Sequence, residues 1–180
     1  MAETYVALLR GINVGGKSKL PMSDLRDMFA EAGCREVHTY IQSGNVIFQA
    51  DQGVIGTLPE AITAAIAARF GYRVPVVTRT VKQMDDVMRQ NPFIAQGVPE
   101  NELHILFLAA RPSESKIDSL DPDRSPPDTF AVRGQEVYLR LPNGAGRTKL
   151  TNDYFERKLG TASTARNWRT VTKLRAMMEV

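Results

Sequence analysis

The sequence has one cysteine, two histidines and one tryptophan in 180 residues, and each scarcity removes a class of function. A lone Cys34 permits no internal disulfide, so cohesion must come from an apolar core, to which 43% hydrophobic residues are adequate. A single thiol without a secretory pattern predicts a reducing, cytoplasmic setting. The opening Met-Ala-Glu-Thr-Tyr has no basic segment followed by an apolar one, and no run reaches the roughly 18 apolar residues of a membrane span. No membrane association is therefore expected. His38 and His104 stand far apart, with no ligand-spaced partners, so neither a metal nor a cofactor is expected. A nucleophile, base and acid arrangement would have to use one of these histidines, and neither adjoins a serine motif. The strand-like Asn45-Val46-Ile47-Phe48 lacks the flanking aromatics of an RNA-stacking surface.

Positive charge, by contrast, is concentrated. Residues 146–180 carry eight basic and three acidic groups, whereas 81–145 carry seven and ten. A basic end on a nearly neutral body favours an anionic partner, although a solvated helix face would look the same. Patterning gives the architecture. Thr4–Arg10 reads as a strand, Pro21 opens a helix with Met22, Leu25, Met28 and Phe29 inward, and 37–41 with 45–49 form a hairpin around Gln42-Ser43-Gly44. Thr57-Leu58-Pro59-Glu60 matches a capping box before a second helix. Arg73–Arg79 is a strand that Pro75 should confine to a sheet edge. The order β-α-β-β-α-β is the ferredoxin-like one.

After a second capping box, Thr80-Val81-Lys82-Gln83, the remainder reads as a helix, a strand at 103–109, a short helix near 113–120, a hairpin at 129–141, and helices at 150–159 and 166–178. The expected fold is α+β, with tandem ferredoxin-like (βαββαβ) subdomains built on antiparallel sheets. The expected division is 1–80 and 81–180.

Three separated stretches resemble the bacterial domain-of-unknown-function family DUF1697. They are Leu8-Leu9-Arg10-Gly11-Ile12-Asn13-Val14-Gly15-Gly16, Thr39-Tyr40-Ile41-Gln42-Ser43-Gly44-Asn45-Val46, and the ending with Lys149-Leu150 and Thr164-Ala165-Arg166-Asn167-Trp168. The resemblance implies a cytoplasmic bacterial protein with ferredoxin-like subdomains and no assigned activity.

Gly11–Ser18 literally matches the phosphate-cradling pattern G-x-x-x-x-G-K-[ST]. That motif requires a helix starting at its Gly-Lys-Ser and an aspartate ending a neighbouring strand; Pro21 comes within one turn and no strand end supplies the carboxylate. Nucleotide hydrolysis is not expected. A simpler anion site around Arg10, Asn13, Gly15, Gly16 and Lys17 stands beside a plain glycine turn as an alternative. Ser43 and Asn45 read either as hairpin-turn residues or as binding groups. Arg147 and Lys149 lie in a second glycine-basic loop ahead of a helix, and Arg166 and Asn167 are expected at a helix start, where a guanidinium could grip an anion bidentately. The leading reading is a protein that binds a phosphorylated or otherwise anionic ligand, small molecule or nucleic acid, through these Gly, Arg, Lys and Asn loops. An enzyme acting by electrostatic positioning on a phosphoryl or acyl substrate is a second reading. An interaction module whose motifs are purely structural is a third.

Overall fold

The computed structural model describes residues 1–179. The chain divides into two compact units, Met1–Met84 with Leu174–Val180, and Asp85–Lys173. Each unit is built on one four-stranded antiparallel sheet with interleaved helices, so the chain is α+β with two similar halves.

The first unit runs β1 (Glu3–Leu9), α1 (Met22–Glu31), β2 (Arg35–Tyr40), β3 (Asn45–Ala50), α2 (Gln52–Ile55), α3 (Leu58–Phe70) and β4 (Val76–Thr80), and α4 (Val81–Arg89) follows without a break. Its strand order is β2-β3-β1-β4, all antiparallel, with β4 at an edge as expected, although the strand read from Arg73 begins at Val76 and Pro75 stands just before it. Period-two alternation puts Tyr5, Ala7 and Leu9 on one face of β1. They join Phe48, Phe29, Leu25 and Ile62 in a core of nearly inaccessible side chains. The first expected capping box is not formed: Thr57 turns its hydroxyl to the Val54 carbonyl, because α2 already occupies the approach to α3. The second is complete, with Gln83 N–H donating to Thr80 Oγ1 (3.1 Å) and Thr80 N–H to Gln83 Oε1 (2.8 Å).

The second unit contains α5 (Pro92–Ala95), β5 (Leu103–Leu108), α6 (Glu114–Asp118), β6 (Thr129–Arg133), β7 (Glu136–Arg140), α7 (Asn152–Leu159) and β8 (Ser163–Asn167), after which the chain enters α8 (Trp168–Met177). Strand order is β6-β7-β5-β8, the same permutation as in the first unit. One expectation fails here. The helix read from Arg166 begins two residues later, and 163–167 is an edge strand paired with β5. Thr164 is β-branched and favours a strand, and the helical spacing that reveals the helix starts only at Trp168, whose apolar row with Val171, Leu174 and Met178 is buried. No helix among the described residues is long and apolar enough to cross a membrane.

Candidate functional site

Strand pleating decides which sequence-predicted residues meet in the second unit. Antiparallel register pairs His104 with Asn167 and with Leu139, and Leu106 with Ala165, on one face of the sheet. Ile105 pairs with Arg166, on the opposite face. Asn167 and Arg166, expected as one gripping pair, are therefore split between the two sides. The Arg166 side chain is 91% buried, donates to Thr164 Oγ1 (2.7 Å) and to the Ala165 carbonyl (2.8 Å), and burial pulls it down to about 10. It is held as part of the structure. Asn167 instead caps α8, its Oδ1 accepting from Thr170 N–H at 2.8 Å.

A cavity of about 640 Å³ opens at this corner, lined by His104, Gly144, Ala145, Asn167, Arg169 and Thr172, with Glu100, Asn101 and an edge of Trp168 completing the wall. The glycine-rich loop after β7 and the start of α8, separate in sequence, thus converge on one space. Arg169 is exposed at the second position of α8, where backbone N–H groups have no helical acceptor. His104 Nδ1 is buried without a hydrogen-bond partner, and desolvation lowers the imidazole pKa, with the Glu102 backbone offsetting part of the effect. Arg147 faces a different hollow, about 380 Å³, with Asn143, Ser125 and Asp128. There Ser125 Oγ donates to Asp128 Oδ2 (2.8 Å) and accepts from Lys149 N–H (3.0 Å), while the Lys149 carbonyl takes Arg124 Nε–H at 2.9 Å. Lys149 thereby fixes the loop through its backbone. His104 and Arg169 carry the strongest site signals that motif reading passed over; a lone histidine on a strand gives no spacing to recognise.

In the first unit the Walker-like string folds into something else. Lys17 N–H bonds the Val14 carbonyl at 3.0 Å across Gly15 (φ 58°) and Gly16 (φ 73°), a two-residue hairpin turn of type I′ geometry. Lys17 therefore sits on a hairpin arm, bridged to Val14, and the next helix starts five residues on. Asn13 is fully engaged, its amide nitrogen donating to the carbonyls of Leu20 (2.9 Å) and Gln42 (2.7 Å) and its oxygen accepting from Leu20 N–H (2.8 Å). It ties the glycine hairpin to the 41–44 turn. Within that turn Asn45 is wholly buried and donates to the Tyr40 carbonyl and Ser43 Oγ, both at 3.0 Å. Gly44 is required there: with φ 87°, a Cβ would meet Ile12 Cδ1 at 2.7 Å and Leu9 Cβ at 2.8 Å. Arg10 follows β1, its backbone N–H on the Pro75 carbonyl (3.2 Å).

A family model described as a protein of unknown function, DUF1697, matches residues 2–138. No curated protein matches the chain. Among solved structures, the chain is similar to the conserved bacterial protein SP0830 from Streptococcus pneumoniae, with a TM-score of 0.69 and 19% identity, covering 99% of this chain and 100% of that one. At that identity the likeness concerns the fold.

Proposed function

This chain belongs to the DUF1697 family, and from that premise we propose that its second unit binds a small anionic molecule in the cavity between β5, β8, the 144–145 loop and the start of α8. The observation that carries the reading is the convergence of Gly144, Ala145, Asn167 and Arg169 on one concave space. Glycine allows close backbone approach, Arg169 supplies a permanently charged fork, and the first turn of α8 presents N–H groups to an anion. Concavity favours a small ligand over a nucleic-acid strand, which would need its cations spread along an open face. Glu100 on the same wall restricts where a dianion sits and favours the Arg169 side of the space. In the first unit Asn13 and Asn45 serve the loops that hold them, and Lys17 is exposed on the glycine hairpin.

Thermal unfolding tests this directly. If phosphate binds with Kd near 1 mM, 10 mM phosphate adds ~1.4 kcal/mol, which is about 3–6 °C in Tm for a chain of this length. Chloride at matched ionic strength should not reproduce the shift, and Arg169→Gln should remove most of it. Equal shifts with phosphate and chloride, or a full phosphate shift in Arg169→Gln, would overturn the assignment.

A further inference from the structure

The cavity has an inner neighbour. A second space of about 180 Å³ shares His104 and Ala145 with it, and continues inward along the sheet face against Leu106, Leu139, Leu141 and Leu150. Those four leucines are at most 3% exposed, and Ala165 closes the β8 side. The polar residues of this inner lining already have uses. Thr148 Oγ1 accepts from Leu150 N–H (3.0 Å), Thr151 Oγ1 from Tyr154 N–H (3.2 Å), and Asn152 Oδ1 from Ser163 Oγ (2.9 Å). Most of what remains facing the space is aliphatic. A space of roughly 150 Å³ is large enough for benzene. His104, with its unpartnered Nδ1, stands at the partition between the aliphatic chamber and the outer cavity that holds Arg169.

Resting on the anion reading above, we infer that the ligand is an amphiphilic anion: a phosphate or carboxylate head in the outer cavity, carrying an apolar group of about benzene size that passes His104 and Ala145 into the leucine-lined chamber. The chemistry on each side supports one half of such a molecule. Arg169 and the first turn of α8 attract charge, and nothing in the inner lining does.

Two probes separate this inference from the reading beneath it: inorganic phosphate and phenyl phosphate, titrated by calorimetry against the full chain. Phenyl phosphate should bind at least tenfold more tightly. Ala165→Leu, which fills the inner chamber, should reduce its affinity to that of phosphate and leave phosphate binding unchanged. Thr148 lines the inner space and not the outer cavity, on a half-buried part of the loop, so Thr148→Leu obstructs the space without overfilling the core, and it should give the same result if the first variant fails to fold. Equal affinities of the two probes in the parent, or a tenfold preference that survives in both folded variants, would overturn the amphiphile and leave the anion site standing. Absence of binding by either probe would overturn both.

Discussion

The two units share a topology and differ at one corner. Each ends its fourth strand with a buried arginine that donates to its own preceding carbonyl, Arg79 to Thr78 and Arg166 to Ala165. Each then passes through a capping residue into a helix whose second position is basic: Thr80-Val81-Lys82 in one unit, Asn167-Trp168-Arg169 in the other. Opposite the capping residue the register places Tyr5 in the first unit and His104 in the second. Tyr5 stacks on Phe48 with ring centroids 5.7 Å apart and donates to Glu3 Oε2 (2.9 Å), which fills the corner. At the matching positions His104 and Leu139 are smaller, and space is left between them and the 144–151 loop. Cover differs as well. The helices over the first sheet, α1 and α3, have 10 and 13 residues, against 5 and 8 in α6 and α7. At 1.5 Å per residue the second sheet has roughly half the helical length lying over it. The first unit keeps a hollow of about 420 Å³ at its own junction, beside Glu3, Thr80 and Lys82, so the second copy, which holds the proposed site, is distinguished by the added space behind His104.

The comparison can be broken most forcefully at its packed corner. Phe48→Ala should destabilise the chain by about 3–5 kcal/mol, since it removes a wholly buried ring stacked on Tyr5 and tilted against Phe29. Urea denaturation reads this, and a loss below about 1 kcal/mol would mean the corner is not tightly filled.

The hairpin glycines provide the next contrast. Gly44→Ala forces a Cβ into Ile12 and Leu9 at a φ of 87°, so it should cost about 2–4 kcal/mol. Gly134→Ala, in the equivalent hairpin of the second unit, has φ 61° and meets only Glu136 Oε2 at 3.9 Å. It should cost about 1–2 kcal/mol, the left-handed backbone alone. Melting both variants side by side checks the ordering, and equal losses would contradict it.

Smaller effects report on titration. Burial lowers the His104 pKa, so below the ordinary histidine value of about 6.5 the unfolded chain holds more protons than the native one. Stability therefore rises with pH through that window, and falls as acid is added. His104→Gln should flatten the slope of stability between about pH 5 and 7; an unchanged slope would show that another group sets it. Burial pushes the Cys34 thiol up to about 11. Its reaction with a disulfide reagent at pH 8 should be at least tenfold slower in the native protein than in denaturant.

Much of this was legible in the sequence, because the first unit is built from strong local signals. Pro21, Gly33, Gly71 and the alternation from Thr4 to Leu9 mark its elements, and the βαββαβ order places β4 at the edge, with Pro75 just ahead of it. The second unit was harder at its end, where Ser163–Asn167 is short, polar and directly joined to α8, so helical periodicity ran backwards over a strand. That error also paired Arg166 with Asn167, which a pleat sends to opposite faces. The duplicated Arg-cap-apolar-basic junction is visible in the sequence once the two strands are aligned by structure, but one identical residue, the arginine, in so short a stretch gives no repeat to detect. The meeting of Gly144 with Asn167 depends on tertiary packing across about twenty residues of intervening helix and strand, which no local pattern encodes.

The account rests on the anion being taken at the β8–α8 junction of the second unit and not at the glycine hairpin of the first. The most direct measurement is a phosphate titration followed by backbone amide NMR shifts over the whole chain. Shifts concentrated at Gly144, Ala145 and Asn167–Thr172, saturating with a single Kd and absent under chloride, are predicted. Saturable shifts centred on Gly11–Lys17 instead, with the β8–α8 junction unmoved, would contradict it.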